Sequence, residues 1–499
     1  MATPTPRPKF LDGGPKKMLI GGEWVPAASG KTFATIDPAT EQKLADVCEG
    51  DKDDVDRAVV AARRAFESGP WSKMSASERG QIVWRIGDLI EKNKDELALL
   101  DTLDNGKPIF ETTYVDTVLA ADIFRYYGGF ATKIHGETIP VAGSFLNYTL
   151  REPVGVCGQI IPWNFPLLMA SWKLAPALGA GNCVVLKPAE QTPLSALRLA
   201  ELCLEAGVPP GVVNVIPGFG PTAGAAVARH RGIDKVAFTG STEVGKIVMR
   251  EAAENCKKVS LELGGKSPNI ILQDADIDAA LKGVMMGMFF NQGEVCCAGS
   301  RLFVHKSIKD EFVGKLAEHA KKLKVGNPLD PETRMGAQVS EEQYDRILGF
   351  IKAGKEQGAK ALCGGDSARA TAGGGKGYFI QPTVFDGVND GMKIAREEIF
   401  GPVIAALPFD DLDEIVARAN DTPYGLAAGV WTKDIDKAHY LARKVKAGTI
   451  WVNCYNQFDA ASPFGGFKES GFGREMGIHA LELYTQVKSV WVRVRPQGK

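Results

Sequence analysis

The chain has 499 residues, more than the about 50–250 residues of a single domain, so we expect two or three domains. Its 59 basic and 60 acidic residues give a formal net charge of −1 without a basic block, which argues against nucleic acid and membranes as partners. Nine cysteines without a Cys-x-x-Cys pair predict reduced thiols in the cytoplasm, with no disulfide framework or metal cluster.

The N-terminal quarter is predicted to be mainly helical. Residues 1–17 lack the apolar core of a secretory signal and are expected to form a loose arm. A short strand pair is predicted at residues 20–25, with two glycines as its turn. Apolar residues at helical spacing predict one helix at 53–66, capped by Asp53 or Asp54, and one at 77–105.

Beyond residue 153, short apolar runs alternate with helical patterns. Strands are predicted at 154–161, 183–187, 212–216 and 235–239, with helices ending near 178 and spanning 192–206, 218–229 and 242–254. This alternation predicts a doubly wound α/β domain with a parallel sheet. A second such series starts at 269–272.

The C-terminal third carries two further local signals. Residues 367–377 are rich in Gly and Ala and predict a surface loop. Residues 489–494 alternate as a strand would, and this strand must join a sheet, for instance one on another subunit.

Two glycine-containing turns are candidates for binding a dinucleotide. Gly218, Gly220 and Gly224 nearly match G-x-G-x-x-G but are one residue too long, and such turns are common. Gly240 and Ser241 follow a strand and open a helix, where free N–H groups favour a pyrophosphate. An ordinary helix cap without a ligand is equally compatible with this second turn.

Lys187 and Glu190 lie just after another predicted strand, at the sheet edge where ligands bind. A carboxylate there accepts hydrogen bonds from ribose hydroxyls and repels a 2′-phosphate, which favours NAD over NADP. The alternative interpretation is a solvated Lys–Glu pair.

Three side chains carry the chemical signal. Cys296 lies between glycines, and a thiol with its usual pKa near about 8.5 needs a base or a cation to act as a nucleophile. Glu262 lies between two leucines, so burial would raise its pKa toward that of a general base. Asn164 lies between prolines and can donate to an oxyanion. Structural roles remain open for all three residues, and no histidine near Cys296 in sequence supports a Cys–His hydrolase.

Taken together, these segments resemble the aldehyde dehydrogenase superfamily, in its hydrolytic, NAD-preferring branch, from about Ile20 to Trp491. The motifs that carry the resemblance are PWNFP at 162–166, KPAE at 187–190, FTGST at 238–242, LELGGK at 261–266, GEVC at 293–296, EEIFGP at 397–402 and PFGGFKESG at 463–471.

The resemblance implies an α/β fold of three parts. A Rossmann-like NAD-binding domain would comprise residues 18–137 and 160–270, and an α/β catalytic domain residues 271–470. A small β oligomerisation extension would comprise residues 138–159 and 480–499, which implies a homodimer or a homotetramer.

The resemblance also implies residue roles. Cys296 would be the nucleophile and Glu262 the base for the deacylating water. Asn164 and the backbone N–H of Cys296 would form the oxyanion hole, and Lys173 and Glu475 would support proton transfer. The residues implied to bind NAD are Ile160, Trp163, Lys187, Glu190, Gly220, Gly224, Phe238, Gly240, Ser241, Val244, Leu263, Glu398 and Phe400. Those implied to contact the substrate are Phe165, Met169, Trp172, Phe290, Val295, Cys297, Phe458 and Phe464.

The predicted function is NAD-dependent oxidation of a hydrophobic aliphatic or aromatic aldehyde to its acid through a Cys296 thioester. Betaine aldehyde, held by cation–π attraction, or a semialdehyde are alternative substrates. A coenzyme-A-acylating enzyme often lacks the glutamate base, so Glu262 argues against it. A Cys-dependent esterase would leave the cofactor motifs unexplained, and retention of Cys296 and Glu262 argues against a non-catalytic relative.

Overall fold

The computed structural model describes residues 7–495. Its N-terminal part comprises strands β1 (Met18–Ile20), β2 (Glu23–Val25), β3 (Thr32–Asp37) and β4 (Gln42–Cys48), and helices α1 (Lys52–Glu67), α2 (Pro70–Lys73), α3 (Ala76–Lys92), α4 (Lys94–Asn105), α5 (Ile109–Glu111) and α6 (Thr117–Phe130). The predicted strand pair at residues 20–25 is confirmed as β1 and β2. The helix predicted at 53–66 is also confirmed, but its cap is Asp51, whose side chain accepts from Asp53 N.

Two predictions for this part are wrong. The single helix predicted at 77–105 is two helices, because Asn93 leaves helical geometry and its side chain donates to Leu89 O at 2.8 Å. The N-terminal arm is not loose over residues 7–17: Leu11 is buried and Lys16 N donates to Asp46 O of β4 at 2.8 Å. Residues 1–6 of that arm lie outside the described residues. The β3–β4 hairpin was not predicted.

The middle of the chain forms the first parallel sheet. The elements of this middle part are β5 (Thr138–Ile139), β6 (Phe145–Pro153), β7 (Val156–Ile160), β8 (Cys183–Lys187), β9 (Val213–Val215), β10 (Lys235–Thr239) and β11 (Lys258–Glu262), with α7 (Pro166–Gly179), α8 (Leu194–Glu205), α9 (Ala225–Arg229) and α10 (Thr242–Ala252). Strands β5 and β6 lie in a separate small sheet. Five strands run parallel in the order β11-β10-β7-β8-β9. The chain progresses outward in both directions from β7, so the predicted doubly wound topology is confirmed.

The second sheet follows in sequence. Its elements are β12 (Pro268–Ile271), β13 (Arg301–His305), β14 (Lys360–Cys363), β15 (Thr383–Asp386), β16 (Val403–Phe409), β17 (Ala427–Trp431) and β18 (Thr449–Val452), with α11 (Ile277–Phe289), α12 (Lys309–Lys321), α13 (Glu341–Glu356), α14 (Arg369–Ala372), α15 (Lys393–Arg396), α16 (Leu412–Asn420) and α17 (Ile435–Lys444). The strand order is β14-β15-β16-β13-β12-β17-β18, and these strands run parallel except for β14, which is antiparallel to β15. The loop predicted at 367–377 is interrupted by α14.

The last elements are β19 (Gly471–Phe472), α18 (Gly477–Tyr484) and β20 (Thr485–Arg493). Strand β19 adds to β11 of the first sheet. Strand β20 starts earlier than predicted and pairs with β6 of the same chain, from Thr485 opposite Pro153 to Arg493 opposite Phe145. The strand therefore needs no second subunit for pairing, although Val487 and Trp491 remain more than half exposed. Residues 496–499 of the predicted extension lie outside the described residues, and the domain boundaries stay a prediction.

One short connection joins the two large sheets. Strand β11 ends at Glu262, and residues 263–267 lead directly into β12. The carboxyl edge of the first sheet is therefore linked to the amino edge of the second. Gly264 and Gly265 in this connection lie against Glu398 and the Cys296 backbone, and we refer to the region between these residues and the carboxyl edge of the first sheet as the cleft. Across residues 7–495, no helix is both long and apolar enough to span a membrane.

Candidate active site

The predicted cofactor residues follow the carboxyl ends of neighbouring parallel strands. Strand β7 ends at Ile160, β8 at Lys187 and β11 at Glu262, and Gly240 directly follows β10. Because parallel strands end at the same sheet edge, the fold brings these distant sequence positions together.

The loop that carries Cys296, residues 290–297, has an unusual backbone. Asn291, Gln292 and Gly293 have φ angles of 49°, 53° and 77°, a left-handed run that Asn and Gly tolerate better than other residues. A side chain at Gly293 would place its Cβ 2.5 Å from the carbonyl carbon of Gly401. The loop therefore lies close to Gly401, just before strand β16. Cys296 lies half-buried near the end of the loop.

Asn164 is tied to this loop by its side chain. Its Nδ2 donates one hydrogen bond to Glu294 O at 2.9 Å, and the residue is 4% exposed. A primary amide has two N–H groups, and the second has no protein acceptor within residues 7–495. The backbone N–H of Cys296 likewise has no acceptor among the described atoms. Two donors are thus available to an oxyanion at this point.

The Cys296 thiol is protonated in this environment. A hydrogen bond with the Cys297 thiol, burial, and the negative charge of Glu398 raise the pKa of Cys296 well above its usual value. A thiol in this state would have to lose its proton before it could act as a nucleophile.

Glu262 is a buried carboxyl group without a hydrogen-bond partner. It is 5% exposed, and neither carboxylate oxygen finds a donor among the described residues. Burial and the negative charge of Glu475 raise the pKa of Glu262 well above its usual value, while Lys173 opposes the shift. The close approach to Gly465 requires glycine, since a Cβ there would lie 2.6 Å from Glu262 Oε1. Such a carboxyl group suits proton transfer to and from water.

Lys173 and Glu475 form a buried ion pair near this carboxyl group. Lys173 Nζ lies 2.7 Å from Glu475 Oε1, and the two residues are 1% and 5% exposed. Glu475 Oε2 has no partner among the described residues. The structure therefore places both predicted proton-transfer residues within electrostatic range of Glu262.

On the second-sheet side, Glu398 and Phe400 border the same cleft. Glu398 Oε1 accepts a hydrogen bond from Gly265 N at 2.9 Å, and burial raises the pKa of Glu398 to about 7. Phe400 has a φ of 59°, and its ring meets Trp163 edge-to-face at 5.2 Å. Gln343 Nε2 holds this conformation by donating to Phe400 O at 2.6 Å.

On the first-sheet side, Lys187 and Glu190 do form an ion pair, at 3.0 Å, but Lys187 is almost fully buried, so the pair is not a solvated one. Gly224 lies next to the aliphatic part of the Lys187 side chain, since a Cβ there would lie 3.7 Å from Lys187 Cδ. A Cβ at Gly220 would meet no atom within 4 Å, so there is open space beside this residue. Gly220 begins and Gly224 ends the helical turn that leads into α9, within the helical segment predicted at 218–229.

The predicted cap of α10 is confirmed, because Ser241 Oγ accepts from Val244 N at 3.3 Å. A Cβ at Gly240 would contact the Phe238 ring at 2.5 Å, so only glycine fits the turn. Val244 is 43% exposed on the first turn of the helix, whereas Leu263 is buried. The free N-terminus of α10, the Glu190 carboxylate and the uncrowded backbone at Gly220 are groups that fit a dinucleotide.

The predicted substrate residues form two aromatic groups. Trp172, Phe458 and Phe464 lie with their ring centroids 5.5–6.1 Å apart, and Phe165 stacks on Phe290 at 6.0 Å. The predicted aliphatic and sulfur-containing members, Met169, Val295 and Cys297, are buried beside them in the same core.

Several residues at the site have no role in the sequence-based prediction. The Asn291 side chain donates to Asn164 O, and the Asn291 backbone N–H donates to the Glu111 carboxylate. The positive charge of Arg474 lowers the pKa of Glu262. The run Asn-Gln-Gly is a sequence signal for left-handed backbone, but Glu111 lies 180 residues from Asn291 and gives no local signal. In the part of the chain that the structure describes, no group of three or more His, Cys, Asp or Glu residues is arranged to hold a metal ion.

Known proteins resemble this chain along nearly its whole length. The model described as "Aldehyde dehydrogenase family" matches residues 24–490. The mitochondrial aldehyde dehydrogenase of Homo sapiens is 57% identical over 480 residues, 96% of this chain and 92% of that protein. A solved NAD+ complex of Bacillus cereus aldehyde dehydrogenase has a TM-score of 0.95 and 54% identity, covering 97% and 98% of the two chains. The P. syringae indole-3-acetaldehyde dehydrogenase AldA, solved with NAD+ and IAA, has a TM-score of 0.94 and 48% identity, covering 97% of each chain.

Proposed function

This chain belongs to the aldehyde dehydrogenase family, and we propose that it uses NAD to oxidise hydrophobic aliphatic or aromatic aldehydes to carboxylic acids. It is an NAD-dependent oxidoreductase that acts on the aldehyde group. The observation that carries the substrate proposal is the aromatic wall of Trp172, Phe458 and Phe464. Phe464 directly precedes Gly465, which lies close to the Glu262 carboxyl group.

The reaction would begin at Cys296. Its thiol releases a proton to solvent, the thiolate sulfur adds to the carbonyl carbon, and the carbonyl oxygen becomes an oxyanion. The free N–H of Asn164 Nδ2 and the backbone N–H of Cys296 would stabilise this oxyanion, because both lack other acceptors.

The residues of the cleft would hold the cofactor. Lys187 and Glu190 would contact the adenosine ribose, Ser241 the pyrophosphate, and Glu398 and Phe400 the nicotinamide ribose and ring. NAD, when bound, supplies the acceptor for the hydride that leaves the substrate carbon. What the chain itself retains after that oxidation is a thioester on Cys296.

Glu262 would complete the cycle. Its raised pKa lets the carboxylate accept a proton from water, which then attacks the thioester carbonyl. The same two N–H donors stabilise the second oxyanion, the acid leaves, and Cys296 regains its proton. Lys173 and Glu475 would pass the proton onward from Glu262.

Three further aspects stay proposals. Large apolar rings favour uncharged hydrophobic aldehydes, and the similarity to the P. syringae indole-3-acetaldehyde dehydrogenase supports an aromatic aldehyde as one candidate. Exposed Val487 and Trp491 on β20 support a homo-oligomer that covers this strand, either a dimer or a tetramer. A cytoplasmic location stays a prediction from the sequence.

The direct test is NADH formation with purified protein, a panel of aldehydes, and NAD or NADP, with and without coenzyme A. Wild type, Cys296→Ala and Glu262→Gln are compared. We expect NAD-linked turnover of apolar aldehydes, no activity in Cys296→Ala, and a single burst of NADH in Glu262→Gln. Turnover that requires coenzyme A, or full activity of Cys296→Ala, would refute the proposed mechanism. A preference for charged aldehydes would refute the substrate proposal alone.

A further inference from the structure

We infer that Asn291 is a positioning residue of the oxyanion hole, which sets the orientation of Asn164 and acts through it. This inference rests on the proposed function, since it concerns the hydrogen-bond donor that Asn164 offers there. Among the described residues, Asn291 itself makes hydrogen bonds to Glu111, Asn164 and Glu294, and none to Cys296 or to the residues proposed to hold NAD.

The first support is a closed set of hydrogen bonds between two loops. Asn291 Nδ2 donates to Asn164 O and to Glu294 O, each at 3.0 Å. Asn164 Nδ2 donates to the same Glu294 O at 2.9 Å. Asn291 thus joins the backbone of Asn164 to the carbonyl group that holds the Asn164 side chain. With both ends of Asn164 fixed, its remaining N–H has a defined direction.

The second support is the way Asn291 is itself held. Its backbone is left-handed with a φ of 49°, and its N–H donates to Glu111 Oε2 at 3.0 Å. Asn291 and Glu111 are 0% and 2% exposed. Helix α5, from a distant part of the chain, therefore anchors the Cys296 loop at the residue that anchors Asn164.

The third support is the chemistry that the position requires. It needs a residue that tolerates left-handed backbone, and a short side chain with two donors on one nitrogen. Asparagine meets both requirements, whereas aspartate has no donor and glycine has no side chain. The next residue, Gln292, shares the left-handed backbone at φ 53°, but its side chain donates to Glu294 Oε2 at 3.4 Å and makes no bond to Asn164.

Because both oxyanions of the reaction would use Asn164, loss of the Asn291 amide should lower kcat for acylation and deacylation alike. Binding of NAD should not change, since the hydrogen bonds of Asn291 go to Glu111, Asn164 and Glu294, none of which is proposed to hold the cofactor. These two expectations separate positioning from a general weakening of the fold.

The test is a double-mutant cycle on kcat with an aldehyde that the wild type oxidises. Asn291→Gly keeps the left-handed backbone and removes both side-chain bonds, and Gln292→Gly is the matched control one residue away. Removal of an oxyanion donor typically costs about 100-fold to 1,000-fold in kcat. We expect Asn164→Ala to fall in that range and Asn291→Gly to lose about 10-fold or more. The double variant should be no slower than Asn164→Ala, and the Kd for NAD, measured by fluorescence, should stay within about 2-fold.

Multiplicative losses in the double variant, an equal loss in Gln292→Gly, or a changed Kd for NAD would overturn the inference. If Asn291→Gly does not fold, the same cycle is run with Glu111→Met, which removes the acceptor of Asn291 N, against Glu111→Gln, which keeps one. We then expect a loss in Glu111→Met that disappears in the Asn164→Ala background, with near wild-type kcat in Glu111→Gln. A wild type that oxidises no aldehyde would instead refute the proposed function, so the two failures are distinguishable.

Discussion

Lys173 Nζ and Glu475 Oε1 lie 2.7 Å apart in a nearly dry pocket, and their charges act in opposite directions on Glu262. The Glu475 carboxylate raises the pKa of Glu262, whereas the Lys173 ammonium lowers it. Since Glu262 has no hydrogen-bond partner of its own among the described residues, burial and this pair set the pH at which it can act as a base.

We therefore expect replacements of the pair to move the pH profile of kcat in opposite directions. Glu475→Gln removes a negative charge, so the pKa of Glu262 falls and the rise of kcat with pH begins at lower pH. Lys173→Met removes a positive charge, so the pKa rises and the profile moves to higher pH. The measurement is steady-state kcat as a function of pH for the wild type and each variant. The aldehyde is kept at a saturating concentration and is one for which deacylation limits the rate.

A folding check and a control variant are needed to interpret the shifts in the pH profile. Breaking a buried ion pair costs about 3–5 kcal/mol of stability, so thermal unfolding of each variant must show a folded protein at the assay temperature. Lys173→Arg keeps the charge and serves as the matched control, with a profile close to that of the wild type. Shifts of the two replacements in the same direction would show that the pair does not act on Glu262 by its charge.

Sequence reasoning reached the site where the signal is local. Lys187, Phe238 and Glu262 each lie at or next to the end of a short apolar strand, and parallel strands bring such ends together. It missed the break at Asn93, because the helical pattern of apolar residues continues across this position, where the Asn93 side chain bonds to Leu89 O. It also had no local signal for contacts between residues that are distant in the sequence. The pairing of Lys173 with Glu475 spans 302 residues, so only the resemblance to a family suggested it.

The strand β20 illustrates the same limit. Its alternation predicts a strand, but alternation does not identify the partner strand. The structure pairs β20 with β6 of the same chain, in a register that runs from Thr485 opposite Pro153 to Arg493 opposite Phe145. The partner of a strand is set by the tertiary fold, so the alternating pattern of β20 alone could not predict that it pairs with β6.

The buried Glu262 carboxyl should also lower stability at high pH. Its pKa in the folded protein lies well above the usual value, so folding favours the neutral form. The stabilisation from this preference is fully present below the unfolded-state pKa and is lost as pH rises through the folded-state pKa. Glu262→Gln, which stays neutral, should therefore gain about 1–2 °C in Tm over the wild type near pH 9, with little difference near pH 5.

The measurement is thermal unfolding of both proteins across that pH range. Glu243→Gln, at an exposed position on the first turn of α10, is the control for loss of one negative charge. An equal Tm difference at both pH values, or a larger one at low pH, would show that Glu262 ionises without cost in the folded protein.

The last prediction concerns the charge of the substrate. Lys107 Nζ lies 3.9 Å from the centroid of the Phe165 ring and 2.7 Å from Asp116 Oδ2, with both charged side chains fully buried. A ring that already interacts with a cation offers less attraction to a second one. The proposed pocket should therefore prefer an uncharged aldehyde to a quaternary ammonium aldehyde of the same shape.

Betaine aldehyde and 3,3-dimethylbutanal make this comparison, because they differ only in whether nitrogen or carbon carries the three methyl groups. We expect kcat/KM to be about 10-fold or more higher for the neutral aldehyde, because the ammonium loses its hydration in an apolar pocket. A free aromatic ring would offset up to about 2 kcal/mol of that loss, but the Phe165 ring already contacts Lys107. The combined replacement Lys107→Met with Asp116→Asn removes both buried charges and should narrow this preference by improving the cationic substrate. If the ratio of the two kcat/KM values is unchanged in this variant, the Lys107 charge does not determine the preference. If the wild type prefers betaine aldehyde, the aromatic rings bind the ammonium group itself.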